Sequence, residues 1–172
     1  MITTAAAVAV YKAVLEVCGI SLGIKWVNDL FKDGKKVCGI LTEAMTDFES
    51  GNIESAIVGI GLNLFPGEEI PEELENIAGS VLQEQSGDIK NKILAETLNR
   101  YFYYYKNFAK KEFIAEYKKR SLVLGKGIRV VTKDGERKAT ALDIDDMCHL
   151  LVEYEDGTRE NLSTGEISIR LQ

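Results

Sequence analysis

The chain has 172 residues, with 21 Lys and Arg against 27 Asp and Glu, a net charge of −6 and 45% hydrophobic residues, the composition of an ordinary globular protein of one domain or two small ones. A pI near 5.0 argues against the chain as a whole binding nucleic acid. The longest apolar run, Thr3 to Tyr11, is well short of the roughly 20 residues that span a bilayer, and Met1-Ile2-Thr3-Thr4 lacks the charged start of a secretory signal, so no membrane partner is expected and the chain reads as cytoplasmic.

Thr3-Thr4 followed by Ala5, Val8, Ala9, Val14, Leu15 and Cys18 has a helical period, with a threonine as N-cap and Gly19 as the C-terminal stop. Leu22 to Val27 reads as a strand. Lys32-Asp33-Gly34-Lys35 carries a hairpin signal, and Val37 to Thr46 returns as a second strand. After a turn at Ser50-Gly51-Asn52, the β-branched run Ile53 to Gly61 reads as a central strand covered on both faces. One helix and three antiparallel strands are thus expected. Phe65 to Gly87 is a long connection, expected to be mobile, with Pro71 at the first turn of a short helix.

From Asp88 to Arg120 the spacing of Ile89, Ile93, Leu94, Leu98, Tyr101, Phe102, Tyr105, Phe108, Phe113, Ile114 and Tyr117 is helical, with a break near Asn107. The run Tyr101 to Tyr105 reads as a packing face wrapped by amphipathic tyrosines rather than an aromatic binding surface. Charge is uneven here. Phe65 to Asp88 is purely acidic, and Lys90 to Arg120 is dominated by bases, as expected of solvated faces.

Beyond Leu124-Gly125-Lys126-Gly127 everything is strand-like. Ile128 to Thr132, Ala139 to Ile144, His149 to Tyr154, Glu160 to Thr164 and Ile167 to Leu171 alternate, with turns at Asp134-Gly135, Asp145-Asp146 and Asp156-Gly157. Five short strands suggest a small SH3-like β-barrel. The expected class is α+β: a mixed or antiparallel sheet with packed helices, then the barrel.

Cys18, Cys38 and Cys148 match no zinc or redox spacing. A nucleophilic triad would have to use His149, the single histidine. Gly59-Ile60-Gly61-Leu62-Asn63-Leu64 begins like a dinucleotide fingerprint, but Leu64 stands where a third glycine belongs and a loop follows instead of a helix. What remains is a strand whose glycines permit close backbone approach, ended by an asparagine that can both donate and accept. In Lys25-Trp26-Val27-Asn28-Asp29 a lysine inside an apolar strand is costly to bury unless it faces an anion or a carboxylate, which makes Lys25 a site candidate; the alternative is a lysine on the solvent face of an edge strand. Asn28 and Asp29 read either as turn residues or as ligands.

The series KWVNDL at Lys25 to Leu30, the Gly34 to Glu43 segment ending CGILTE, IVGIGLN at Ile57 to Asn63, and a terminal barrel ending STGEISIR at Ser163 to Arg170 closely resembles biotin protein ligases along essentially the whole chain. The resemblance implies formation of biotinyl-5′-adenylate from biotin and ATP, with Mg²⁺, and transfer of biotin to one lysine of a biotin carboxyl carrier protein. It implies Lys25 as the catalytic lysine touching the biotin carboxylate and the ATP α-phosphate. Gly39 and Ile40 become backbone lying along biotin or the adenylate, Asn63 a polar contact to the nucleotide, and Asn28 and Asp29 residues that shape the site and help hold Mg²⁺.

Residues 1–121 then correspond to the C-terminal part of the catalytic domain, and residues 122–172 to the SH3-like domain. The family's loop over the adenine corresponds to Phe65 to Ser80, but no aromatic lies between Pro66 and Gly87, so a stacking role is not carried over. The Arg- and Gly-rich loop that family members carry upstream, and any N-terminal winged helix, have no counterpart here, so the 172 residues alone are expected to be inactive. The competing expectation is a non-enzymatic module that binds a carrier domain or forms a homodimer through exposed strand edges.

Overall fold

A computed structural model describes residues 1–47, 49, 52–67, 71–85, 87–132, 135–163 and 166–168. Helix α1 (Ile2–Cys18) is built of alanine and valine through its middle, and Thr4 to Tyr11, Ala13 and Val14 are all buried. Small side chains let neighbours approach on every side of it. Gly19 ends the helix at φ 70 and returns its N–H to the Leu15 carbonyl, the expected stop. The threonine cap is not what starts it: Met1 holds the cap position without a side-chain bond. Thr3 lies inside the first turn, where its hydroxyl donates to that of Thr42, 2.9 Å away.

Four strands follow rather than three: β1 (Gly23–Lys25), β2 (Asp29–Lys32), β3 (Lys35–Thr46) and β4 (Ile53–Leu62), antiparallel in the order β1-β2-β3-β4. The expected strand through Val27 stops at Lys25, because Trp26, Val27 and Asn28 turn the chain straight back into β2. The β2–β3 hairpin forms as its Asp-Gly pair predicts, with Asp33 at φ 50 and Gly34 at φ 79, the two positive angles of a type I′ turn. Ser50 and Gly51 of the next expected turn lie outside the described residues; the ribbon closes through the Asp47 N–H donating to the Asn52 carbonyl at 2.8 Å.

The largest departure from expectation is β4. It is the edge of the sheet among the described residues, and most of it faces solvent. Ile57 is 64% exposed, and Leu41, Met45 and Ile53 are exposed beside it. A β-branched apolar run shows only that a surface suits cover. No described element covers either face of this ribbon's far end.

The connection after β4 is tied down where it is described. A 3-10 turn at Glu72–Leu74 follows Pro71, Lys36 exchanges backbone bonds with Ile77 and Gly79, and Val81 and Leu82 donate to the carbonyls of Asn63 and Leu64. Helix α2 (Ile89–Lys106) ends at Asn107, the expected break, and α3 (Phe113–Lys119) follows. The tyrosine run is a packing face only in part. Tyr104 is buried with Ile93 and Thr97, whereas Phe102, Tyr103 and Tyr105 are about half exposed.

The last third is a five-stranded antiparallel sheet: β5 (Gly127–Thr132), β6 (Gly135–Ile144), β7 (Leu150–Tyr154), β8 (Arg159–Leu162) and β9 (Glu166–Ser168), ordered β8-β7-β6-β5-β9. It is SH3-like in strand count and order, but among the described residues no ladder joins β8 to β9, so it is not a closed barrel. Asp134, Thr164 and Ile169 to Leu171, all parts of expected turns and strands here, lie outside the described residues.

Because β4 faces solvent and β1 does not, the two strands differ in their sensitivity to substitution. Ile57→Ser shifts unfolding free energy by no more than about 0.5 kcal/mol. Ile24→Ala, at a fully buried position, costs about 2–5 kcal/mol; urea denaturation of the two variants measures both.

Candidate functional site

Residues opposite one another in an antiparallel pair share a face, and the register of the first sheet puts one row across all four strands. Lys25 stands opposite Asp29, Asp29 opposite Gly39, and Gly39 opposite Gly61. The adjoining row, Ile24, Leu30, Cys38 and Leu62, points the other way into the core, where the first three are buried. Leu41 opposes Gly59, two residues on from Gly39. Gly39, Gly59 and Gly61 therefore form a strip of sheet without side chains. At Gly59 and Gly61 an added Cβ would come no closer than 3.8 Å to anything, so the described protein does not itself require glycine there. Such a strip admits a ligand to backbone contact.

Gly39 differs. A Cβ there would lie 3.2 Å from both Cε and Nζ of Lys36, so the tip of a lysine stands close over this glycine. The same Nζ sits 2.7 Å from Oδ1 of Asp29, a carboxylate 19% exposed. Strict alternation would send Lys36 to the buried side with Cys38 and Ile40. The β2–β3 ladder, however, shifts register between Leu30 and Phe31, so that Phe31 opposes Lys36, and the shift turns Lys36 onto the face of Asp29 and Gly39. Sequence reasoning missed Lys36 as a site residue for this reason. The motif contained it, but only the bulge reveals where it points.

Lys25 stands on the same face at its other end, half-buried, with Nζ 6.0 Å from the centre of the Phe31 ring. Among the described residues it makes no ion pair. Asn63 follows Gly61 by two residues and is exposed; its N–H donates to Val37 and its carbonyl accepts from Val81, at 2.8 and 2.9 Å, so its main chain is fixed while its amide stays accessible. The Ile40 side chain is 2% exposed, and both its main-chain groups are spent on Asn28. The Ile40 N–H donates to the Asn28 carbonyl at 3.0 Å, and the Asn28 amide donates to the Ile40 carbonyl at 2.8 Å. The Ile40 side chain lies on the core side of the sheet, so only its main chain runs along the glycine strip.

Asn28 and Asp29 do not fit a protein-held magnesium site. The amide of one braces β3, and the buried oxygen of the other faces an ammonium. Among the described residues no three His, Cys, Asp or Glu side chains converge on a cation position. Nor is there an activated thiol: burial above all, then the charge of Asp29, pushes Cys38 up to about 12, with Lys36 opposing, and a thiol held protonated is a poor nucleophile. His149 sits at the turn between β6 and β7 with Nδ1 3.1 Å from Asp145 Oδ2.

The site is thus a glycine strip flanked by two lysines, one carboxylate and one asparagine. It offers positive charge and close approach, with no protein nucleophile.

Comparison with known proteins gives this face a lineage. Residues 1–63 match the biotin/lipoate A/B protein ligase family, and residues 123–170 match the biotin protein ligase C-terminal domain. The bifunctional ligase/repressor BirA of Bacillus subtilis is 34% identical over 166 residues, covering 92% of this chain and 50% of that protein. The biotin–[acetyl-CoA-carboxylase] ligase of Mycobacterium tuberculosis is 30% identical over 151 residues, covering 84% and 52% respectively. The chain spans about half the length of these relatives. Among solved structures, the Aquifex aeolicus biotin protein ligase in complex with biotin and ATP superposes with a TM-score of 0.78 at 26% identity, over 99% of this chain and 71% of that one. With both segments matched in their order, and with the fold shared along nearly its whole length, the chain belongs to the biotin protein ligase family.

Proposed function

We propose that this chain takes part in the ATP-dependent attachment of biotin to protein, its glycine strip receiving biotin and ATP. In this reaction the biotin carboxylate attacks the α-phosphate, pyrophosphate leaves, and the biotinyl-5′-adenylate passes its biotinyl group to one lysine of a biotin carboxyl carrier protein. The observation that carries the reading is the Lys25–Asp29–Gly39–Gly61 row with Lys36 standing over Gly39. The Aquifex ligase holds biotin and ATP, and the Mycobacterium relative is named for an acetyl-CoA carboxylase; both support the substrates and the acceptor. The reaction is assigned to the cytoplasm, in keeping with the absence, among the described residues, of a helix long and apolar enough to cross a membrane.

The chemistry suits the residues present. A carboxylate approaching a phosphate brings two anions together, and a fixed ammonium is worth most where that charge accumulates away from water. The substrate carboxylate is itself the nucleophile, so the chain needs no activated Ser, Cys or His. Magnesium enters with the nucleotide as MgATP, bound chiefly through phosphate oxygens.

Lys25, half-buried on this face and without an ion pair among the described residues, is assigned as the catalytic lysine that touches the biotin carboxylate and the ATP α-phosphate. Lys36 lies against the glycine strip and is aimed by Asp29; Lys25 lies at the end of the row, beside Phe31. Asn63 is assigned the nucleotide contact, Gly39 and Ile40 the backbone along biotin or the adenylate, and Asn28 and Asp29 the bracing of β3 and of Lys36. The exposed apolar face of β3 and β4 supports the further expectation that the 172 residues alone transfer no biotin. The exposed edge of β4 also favours a homodimer.

Titration calorimetry of the chain with biotinyl-5′-adenylate tests the assignment. Lys25→Ala weakens binding about 10- to 100-fold, the size of one lost charge-assisted hydrogen bond, and Lys36→Ala, whose charge is shared with Asp29, weakens it by less. The reverse ranking gives the central role to Lys36, and no binding by the unsubstituted chain removes the reading of this face. Incubated with biotin, MgATP and an apo carrier domain, the 172 residues give no mass increase on the acceptor; ready transfer disproves the expectation of inactivity.

A further inference from the structure

The Trp26-Val27-Asn28 turn joins Lys25 to Asp29, so its geometry sets the distance between the two ends of the charged row. Two of the bonds that hold it come from distant parts of the chain. The Trp26 indole, 3% exposed, donates to the Cys148 carbonyl at 3.0 Å, which lies in the turn between β6 and β7. The Tyr117 hydroxyl, on α3 and fully buried, donates to the Val27 carbonyl at 2.9 Å.

The partner turn is itself rigidly made. Cys148 is one of few non-glycine residues at positive φ, at 65°, and a single carboxylate organises the backbone around it. Asp145 Oδ1 accepts the N–H groups of Met147 and His149, each at 2.8 Å. The Asp145 carbonyl accepts the Cys148 N–H at 3.0 Å, and the Asp145 N–H donates to His149 at 2.9 Å. This aims the Cys148 carbonyl at the indole. On the other side, burial first, then the nearby Cys148 and Asp29, raises Tyr117 well above the usual tyrosine value, so its hydroxyl stays a donor.

We propose that Trp26 and Tyr117 are positioning residues of the ligand site: by bonding to the C-terminal sheet and to Val27 they fix the turn, hence the separation of Lys25 from Asp29 and, through Asp29, the location of Lys36. The C-terminal sheet then acts on the site through one indole-to-carbonyl bond. The consequence for ligand binding rests on the reading of this face given above; the clamp itself does not.

Trp26 is the single tryptophan, so its emission reports on this turn alone. The test compares the 172-residue chain with Tyr117→Phe, Asp145→Ala and a control, Tyr154→Phe, which removes a hydroxyl bonded to Glu160 away from the turn. Tyr117→Phe keeps the parent's far-ultraviolet dichroism, while the Ile40 amide, bonded to Asn28, exchanges about tenfold faster and biotinyl-5′-adenylate binds about tenfold more weakly, as loss of one hydrogen bond predicts. Asp145→Ala shifts Trp26 emission to longer wavelength and raises its quenching by acrylamide about twofold, as exposure of a buried indole predicts. This arm carries the test where Tyr117→Phe folds poorly. Tyr154→Phe changes none of these.

Parent values of Trp26 emission and Ile40 exchange in both variants overturn the proposal. Altered emission and exchange in a chain that binds no adenylate uphold the clamp and remove the reading of the face.

Discussion

The ladder between β2 and β3 slips by one residue between Leu30 and Phe31, and the charge arrangement of the site follows from that slip. A regular ladder would place Lys36 beside Cys38 and Ile40, where an ammonium would have to enter the core beneath α1 at a cost of several kcal/mol. The slip moves it to the opposite face, where Asp29 meets it at 2.7 Å. A Cβ at Gly39 would press on the tip of Lys36, 3.2 Å from its Cε and Nζ. Bulge and ion pair work together: the slip puts Lys36 on this face, and Asp29 holds it there.

Much of this was legible in the residues, and the parts that were not share a cause. The α1 stop at Gly19, the Asp33-Gly34 hairpin, the break at Asn107 and five C-terminal strands follow from local rules of backbone conformation, which a sequence states directly. The misplaced features are those a neighbour decides. Ile53 to Gly61 is as apolar as a doubly covered strand, yet nothing described covers it; composition records suitability for burial and is silent on what does the burying. Tyr101 to Tyr105 fails in the same way, since only the face of α2 turned toward α1 is occupied. Within the site, Lys25 stood out because a lysine in an apolar strand is conspicuous. Lys36 sat in a run of lysines after a turn, where solvent exposure is the ordinary expectation.

The exposed surfaces form a pattern. Leu41, Met45, Ile53 and Ile57 on the ribbon, and Leu94, Leu98, Phe102 and Tyr105 on α2, are all exposed, whereas α1 is sheathed by sheet and helices. The chain's own core lies around α1, with Tyr11, Phe113 and Tyr117 as its largest fully buried side chains and the Trp26 indole nearly so. The ribbon's share of this apolar excess lies next to the glycine strip, with Leu41 opposite Gly59. A surface of this kind is stabilised by whatever closes over it, and closure would also dry the site. The fold and the proposed chemistry therefore ask for the same cover: water excluded from β3 and β4 is water excluded from two meeting anions, where each ammonium then counts for more.

That coupling gives the distant contacts of the turn a physical role. An ammonium in a drying site is effective only if it does not have to reorganise when charge develops, since reorganisation returns in the barrier what the electrostatics removed. Lys36 has a flexible stem and is held by one carboxylate, and that carboxylate follows directly after a three-residue turn. A turn so short has no internal reserve of stiffness. Its rigidity has to come from what it touches: a buried phenol on α3, the Cys148 carbonyl in the β6–β7 turn, which accepts from the Trp26 indole, and the Ile40 backbone of β3. The second sheet thus contributes to the site without placing a side chain in it: it converts the stiffness of the Asp145 turn into the fixed position of a cation on the other sheet.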